Sequence, residues 1–398
     1  RATRCEGEVV WGMRTCVKLG SRTLKIGSGQ TPSGGNAGYV DSGIPLIRSQ
    51  NVLMGSFSTD GLVYISSAVD EQMRGSRVQR GDVLLNITGA SIGRVCVVPD
   101  AICPANVNQH VCIIRCDTSL LPEFVALVLA SPWYQKFIWE SQAGGTRQAL
   151  TKQMIEDFEM PCFPKEMQQQ IAGHLATQLA TVEEARQAAT AQLRELSLLA
   201  NAIIRETLAH PDTETHSLGN VLDEVKQGIG ARWADFPVLG ATRDGLAPAR
   251  EPVGKNPERY KPVQVGTVFY NPMRILIGSI AMVDEDDAPG ITSPDYVVLR
   301  GREGMVDSRW FYYWLRSPEG ERCITSLARG AVRERMLFNR LAEGEIALPP
   351  YPMQLAASRA LAELRPMKQG IEARLREIER LPQRLLAEVF DFEKDEDA

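Results

Sequence analysis

Several short stretches of this 398-residue chain carry residue types that do chemistry in other settings. Leu348-Pro349-Pro350-Tyr351 approaches the Asn/Asp-Pro-Pro-aromatic loop with which an adenine methyltransferase holds its target amine. Leucine stands where the amide or carboxylate must be, so the stretch reads as the lead-in to a helix. GSGQTPSGG from Gly27 is glycine-rich but has neither the G-x-x-x-x-G-K-[ST] of a phosphate loop nor a clean G-x-G-x-x-G. It reads as a flexible loop, with a nucleic-acid contact as the alternative. Pro99-Asp100 and Pro294-Asp295 lack the acidic-x-Lys that completes a metal-dependent nuclease site. The acids Asp284 to Asp287 read as a solvated turn. The 8 cysteines include no C-x-x-C pair and the 4 histidines are scattered, so reduced, buried thiols are expected rather than a zinc centre. No Ser/His/Asp set is favoured by spacing, although such sets assemble in space. The expectation is a chain with no catalytic residue, no metal and no cofactor of its own.

Composition fits a globular protein: 44% hydrophobic and 23% charged. No apolar run approaches the roughly 20 residues that cross a bilayer, and the first residues, RATRCEGEVVWGM, lack the apolar core of a secretory signal. A cytoplasmic location is expected, with the chain beginning inside a longer polypeptide. The net charge of −5 opposes nucleic-acid binding mildly, because phosphate neutralisation supplies much of such affinity. Its distribution matters more. Residues 1–150 carry 14 Lys/Arg against 11 Asp/Glu, whereas residues 151–216 carry 5 against 10.

The elements that must position any site are duplicated. GDVLLNITGASIGRVCVV from Gly81 recurs as GTVFYNPMRILIGSIAMV from Gly266, about 185 residues on, aligning Asn86 with Asn271 and Gly93 with Gly278. Ser131-Pro132 meets Ser317-Pro318, Gly144 meets Gly330, and Arg147 meets Arg333. Each copy holds short Gly- and Val-rich strands and then passes through a proline-bounded segment, at Pro161 and Pro349, into a helical stretch. Leu175, Leu179, Val182, Ala189, Leu193, Leu196, Ala200 and Ile203 follow the 4-3 spacing of a coiled-coil seam. Leu361, Leu364, Ile371, Leu375, Ile378 and Leu385 do so in the second copy, with a kink or break expected at Pro382. Neither stripe is buried by its own helix, so the two helices are expected to pair. The predicted fold is α+β: two duplicated mixed α/β heads separated by long antiparallel, coiled-coil-like spacer helices. The domains expected are a first head over 1–164, a central helix over 165–210, a second head over 211–352, and a helix and tail over 353–398.

In this order, the chain resembles the specificity subunit of type I restriction-modification enzymes. GDVLLNITGASIGR from Gly81, the run Asn106 to Gln109, and GGTRQALTKQMIEDFEMPCFPKEMQQQIA from Gly144 carry the resemblance. The second half keeps the prolines, while Met353-Gln354 replaces the longer glutamine-rich run. The resemblance implies that each head is a target-recognition domain reading one half of a split site in double-stranded DNA. It also implies that the helices dock two methyltransferase subunits, which use S-adenosylmethionine, and that motor-nuclease restriction subunits complete the assembly. Leu175, Leu179, Val182, Leu193, Leu196, Ile203, Ile371, Leu375, Ile378 and Leu385 are then the spacer and partner-binding residues. From Met167 to Leu208, 42 residues as helix span roughly 63 Å, a length on the scale of a DNA target.

Arg pairs with guanine, Asn or Gln with adenine, Ser or Thr with several bases, and cations with phosphate. On that chemistry the candidate DNA contacts are Arg48, Ser49, Gln50, Asn51, Thr88, Ser91, Asn108, Gln109, Thr146 and Arg147 in the first head. In the second they are Arg243, Asn271, Arg274, Ser279, Arg329 and Arg333. Arg147 and Arg333 are the favoured phosphate contacts, since both copies keep Arg after a glycine-containing turn. Gly93 and Gly278 are assigned to backbone geometry. Two other classes compete: a fused methyltransferase-recognition protein that has lost its catalytic part, and a decoy scaffold that reads no DNA and has no restriction partner.

Overall fold

The computed structural model describes residues 16–32, 38–140, 149–328 and 335–390. The fold is α+β. Two compact units divide it, one formed by residues 1–186 with 376–398 and the other by 187–375.

The first unit is built on an antiparallel four-stranded sheet of β1 (Thr23–Ser28), β2 (Val83–Asn86), β3 (Val95–Val97) and β4 (Val111–Cys116), in the spatial order β1-β4-β2-β3. The second is built on β5 (Leu222–Glu224), β6 (Thr267–Tyr270), β7 (Ile280–Val283) and β8 (Val297–Gly301), in the order β5-β8-β6-β7. The two orders are the same path, which is the duplication read from sequence now seen as topology. Successive side chains of a strand point to opposite faces, and both faces of β2 are covered, which is why Val83, Leu84 and Leu85 are all apolar. Val83 and Leu85 face the helices Pro122–Ala130 and Pro132–Glu140, while Leu84 faces a second layer with Val107 and Ile113. In the second unit Val268 and Tyr270 face the helices Ser308–Arg316 and Pro318–Leu327, and Phe269 faces the other way.

Local chemistry accounts for the repeated small motifs. Gly81 and Gly266 both have φ +78°, and Gly93 and Gly278 both have φ +83°, a left-handed conformation that a Cβ resists. Ser131 and Ser317 are fully buried at the corner between two helices. Each donates its hydroxyl to the carbonyl three residues back, Val128 O and Trp314 O, at 2.7 Å. Proline follows at the first helical position, where no donor is lost.

The long helices are α1 (Lys165–Leu208) and α2 (Tyr351–Phe390). In the first unit Ile171 and Leu175 of α1 share a core with Leu386 and Phe390 of α2. In the second, Ala200 and Ile204 of α1 meet Ala357 and Leu361, while Gln192 accepts a hydrogen bond from Arg374, so the pairing is antiparallel. The break expected at Pro382 is absent, and α2 runs through both Pro366 and Pro382. Proline forfeits one backbone donor, and Ile378 and Leu386 on either side of Pro382 are buried, so packing carries the turn.

Two further expectations are corrected. The acids Asp284 and Asp287 are not solvated: their side chains are only 12% and 16% exposed, and Arg309 and Arg365 pair with them. Glu285 and Asp286 alone keep the exposed character expected of the run. Of the free cysteines, Cys96 and Cys112 are buried, and burial pushes both thiols up to about 12. Cys16 and Cys162 are exposed.

Candidate nucleic-acid interface

In the first head the ends of β2 and β4 bring four loops together. Asn86, fully buried at the end of β2, donates its amide to Ser49 O at 2.8 Å and so fixes the 48–51 turn against the sheet. Leu150 N–H reaches back to Ile87 O at 2.9 Å. Gly29 lies so close to Val107 that a Cβ would sit 1.7 Å from its carbonyl oxygen, which is the physical demand for glycine there.

These loops carry a chain of polar side chains centred on His110. Gln109 donates from Nε2 to His110 Nε2 at 2.9 Å, so a neutral imidazole carries its proton on Nδ1 and offers it to Thr88 Oγ1 at 2.6 Å. Thr31 donates its hydroxyl to Gln109 Oε1. The amide of His110 is held by Asn108 Oδ1 at 3.1 Å. Thr88, Asn108 and Gln109, candidates from sequence, thus converge on a half-exposed histidine that sequence reasoning missed; its only signal was its place after the Asn-Val-Asn-Gln run.

The 48–51 turn separates into two roles. Gln50 is exposed, with its amide 3.4 Å from Asp60 O and Gly61 O. Arg48 lies over the Tyr39 ring and donates to Gly61 O at 2.6 Å. Ser49 and Ser91 are half-buried hydroxyls without a hydrogen-bond partner among the described residues. Asn51 is corrected. It is fully buried, accepts from Arg48 N–H at 3.0 Å and donates to Ser58 O at 3.0 Å and Asp60 O at 3.2 Å, so its amide closes the loop and has no edge left for a base. Asn108 is likewise buried, its oxygen occupied by the His110 amide.

In the second head Arg243, Asn271, Arg274 and Ser279 gather on adjoining turns. Asn271 Oδ1 accepts from Met273 N–H at 2.9 Å, an Asx turn that starts a tight loop. Ser279 is corrected: it is buried and donates to Ala241 O at 2.7 Å, tying that loop to the hairpin of Leu239–Thr242 and Gly245–Pro248. Arg243 and Arg274 are exposed, and neither guanidinium has a partner among the described residues. Arg316 supports the loop from behind, donating to Gly278 O at 3.3 Å and Ile280 O at 2.9 Å. Thr146, Arg147, Arg329 and Arg333 lie outside the described residues.

Along the seam Leu175, Ala189, Ala200 and Ile378 are buried, and Leu179, Val182, Leu193, Leu196, Ile203, Ile371, Leu375 and Leu385 are half-buried. Leu198 and Leu199, off the seam, stay exposed. Among the described residues no three His, Cys, Asp or Glu side chains assemble as metal ligands, and no helix is long and apolar enough to cross a membrane.

The family described as type I restriction modification DNA specificity domain matches residues 38–190. The specificity subunit of the EcoBI type I restriction enzyme from Escherichia coli is 28% identical over 187 residues, 45% of this chain. That match spans 39% of the relative's own length. A solved structure bearing on complex assembly and conformational transition of the type I R-M system covers 95% of this chain and 97% of its own, at TM-score 0.64 and 18% identity. The type I restriction-modification S subunit from M. genitalium covers 95% and 96%, at TM-score 0.50 and 14% identity. Residues 38–190 therefore match the type I restriction modification DNA specificity domain family, and the chain shares its fold with these solved structures of type I restriction-modification systems.

Proposed function

We propose that the chain recognises DNA sequence for a type I restriction-modification complex and performs no catalysis itself. Each head reads one half of a bipartite double-stranded target. Two methyltransferase subunits, which bring S-adenosylmethionine, dock on the helical region, and motor-nuclease restriction subunits join them. The observation that carries the reading is the match of residues 38–190 to a DNA specificity domain whose sheet path recurs in the second head.

The geometry supports it in kind. Both heads present polar or cationic side chains on loops anchored by buried asparagine, serine and glycine contacts, which is how a rigid scaffold holds base-reading groups. Selection from a randomised duplex library by the chain with its methyltransferase subunits tests the reading. Enrichment of a split motif is expected, and exchanging residues 217–337 for those of another family member should change one half of it. No enrichment at all would favour the decoy scaffold. Saturable S-adenosylmethionine binding by the isolated chain would favour a methyltransferase remnant instead.

A further inference from the structure

The turn between β6 and β7 leaves three large apolar side chains in solvent within five residues. Met273 is 56% exposed, Leu276 54% and Ile277 67%. The turn is not loosely built. Arg274 N–H bonds Asn271 O at 2.9 Å, Gly278 N–H bonds Ile275 O at 2.9 Å, and Ser279 N–H bonds Arg274 O at 3.1 Å. Ile275 is buried beneath them, and Gly278 turns the chain at φ +83°. Met336 N–H bonds Pro272 O at 3.1 Å, and the next residue, Leu337, is 45% exposed. A rigid apolar knuckle on a folded surface marks a contact site.

Charge narrows the occupant. Arg274 is on the knuckle, and the Arg243 side chain passes it, its Cγ 3.7 Å from where a Cβ on Gly278 would sit. Both guanidinium groups are exposed and have no partner among the described residues. From Asn271 to Ile280 there is no acid. Asp244, next to Arg243, is the acid of the flanking turn, and Lys368 reaches its carbonyl at 3.3 Å. The corresponding turn of the first head is Thr88-Gly89-Ala90-Ser91, small and polar beside the His110 chain. An anionic partner that also offers compact apolar groups at a groove surface is duplex DNA read at thymine, whose C5 methyl is the apolar mark in the major groove.

We infer that the second head reads thymine methyl groups with Met273, Leu276 and Ile277 while Arg243 and Arg274 hold neighbouring phosphates. This rests on the DNA-recognition reading above. The first head, by contrast, reads its half-site by hydrogen bonds.

The test uses the full chain with its methyltransferase subunits and the duplex enriched from the library, with uracil replacing thymine one position at a time. In one half-site at least one replacement should weaken binding about fourfold, the scale of one buried methyl group. In a Leu276→Ala, Ile277→Ala variant that penalty should vanish while the other half-site is read unchanged. Arg274→Ala should weaken binding to all sequences and flatten its salt dependence. Both variants alter exposed side chains, and their melting temperatures should match the parent's. Uracil tolerated at every position, or a penalty that persists in the double variant, overturns the inference and leaves DNA recognition standing. A parent complex that enriches no sequence overturns the recognition reading and the inference together.

Discussion

Gln168 and Gln354, 186 residues apart in sequence, are the same latch in the two heads. Each is buried in the first turn of its long helix. Gln168 donates to Ser119 O and Phe163 O, both at 2.9 Å, and accepts from Leu121 N–H at 2.8 Å. Gln354 donates to Met305 O at 3.0 Å and Pro349 O at 2.9 Å, and accepts from Asp307 N–H at 3.0 Å. All three partners are displaced by the same 186 residues. The latch joins the start of the helix to the loop that follows β4 or β8, so it fixes where each helix leaves its head.

Removing the latch should therefore destabilise either head alike. Gln168→Ala and Gln354→Ala each leave three backbone groups without their partner, at a cost of about 2–3 kcal/mol. Urea unfolding of both variants checks this. A cost below about 0.5 kcal/mol for either would show that water replaces the amide.

Asp82 is fully buried and takes a two-pronged contact from Arg115, at 2.7 and 2.8 Å, besides the Gln79 amide at 2.7 Å. Asp82→Ala leaves a largely buried guanidinium unpaired and should cost about 3 kcal/mol. The double change Asp82→Leu, Arg115→Met should cost clearly less than the single one. Equal losses in a denaturation series would refute an uncompensated charge as the cause.

The acid limb of stability should report on Asp284. Burial opposes its charge, but the hydrogen bonds from Arg309, the Glu285 amide and the nearby Arg365 outweigh burial and hold its carboxyl below the ordinary value of 3.8. A folded value below the unfolded one means the stabilisation is complete above about pH 4. It is lost as pH falls through the folded value. Melting temperature from pH 6 down to 2.5 should fall less steeply for Asp284→Asn than for the parent. Parallel curves would remove Asp284 from the explanation.

Gln109 and Asn51 should behave oppositely, although both are amides in loops of the first head. Gln109 is exposed, so Gln109→Ala should leave melting within about 1 °C of the parent yet alter base preference in one half-site. Asn51→Ala removes three buried hydrogen bonds and should lower stability by about 2 kcal/mol. A destabilised Gln109→Ala with unchanged base preference would reverse these roles. Melting curves together with library selection separate the two.

What the sequence by itself determined is whatever depends on neighbours along the chain. Gly81, Gly93, Gly266 and Gly278 mark turns because a backbone at φ near +80° excludes a Cβ wherever it occurs. Ser131-Pro132 and Ser317-Pro318 mark helix starts because cap and missing donor are both local. The heptad stripes and the 185-residue repeat are likewise properties of residue order alone. The roles of the polar residues were decided only by tertiary structure. Asn51, Asn108 and Ser279 have the same types as exposed base readers, yet all three are buried: Ala241, 38 residues earlier, takes the Ser279 hydroxyl, while the Asn51 and Asn108 amides turn onto backbone of their own loops. His110 became the centre of a polar chain because the ends of β2 and β4 are adjacent in the sheet. Asp284 and Asp287 turned from a solvated run into largely covered ion pairs because Arg365 arrives from α2, 78 residues beyond Asp287. Pro382 stayed helical because burial on either side outweighs one lost donor. A hydrogen bond or an ion pair has two ends, and sequence shows one of them.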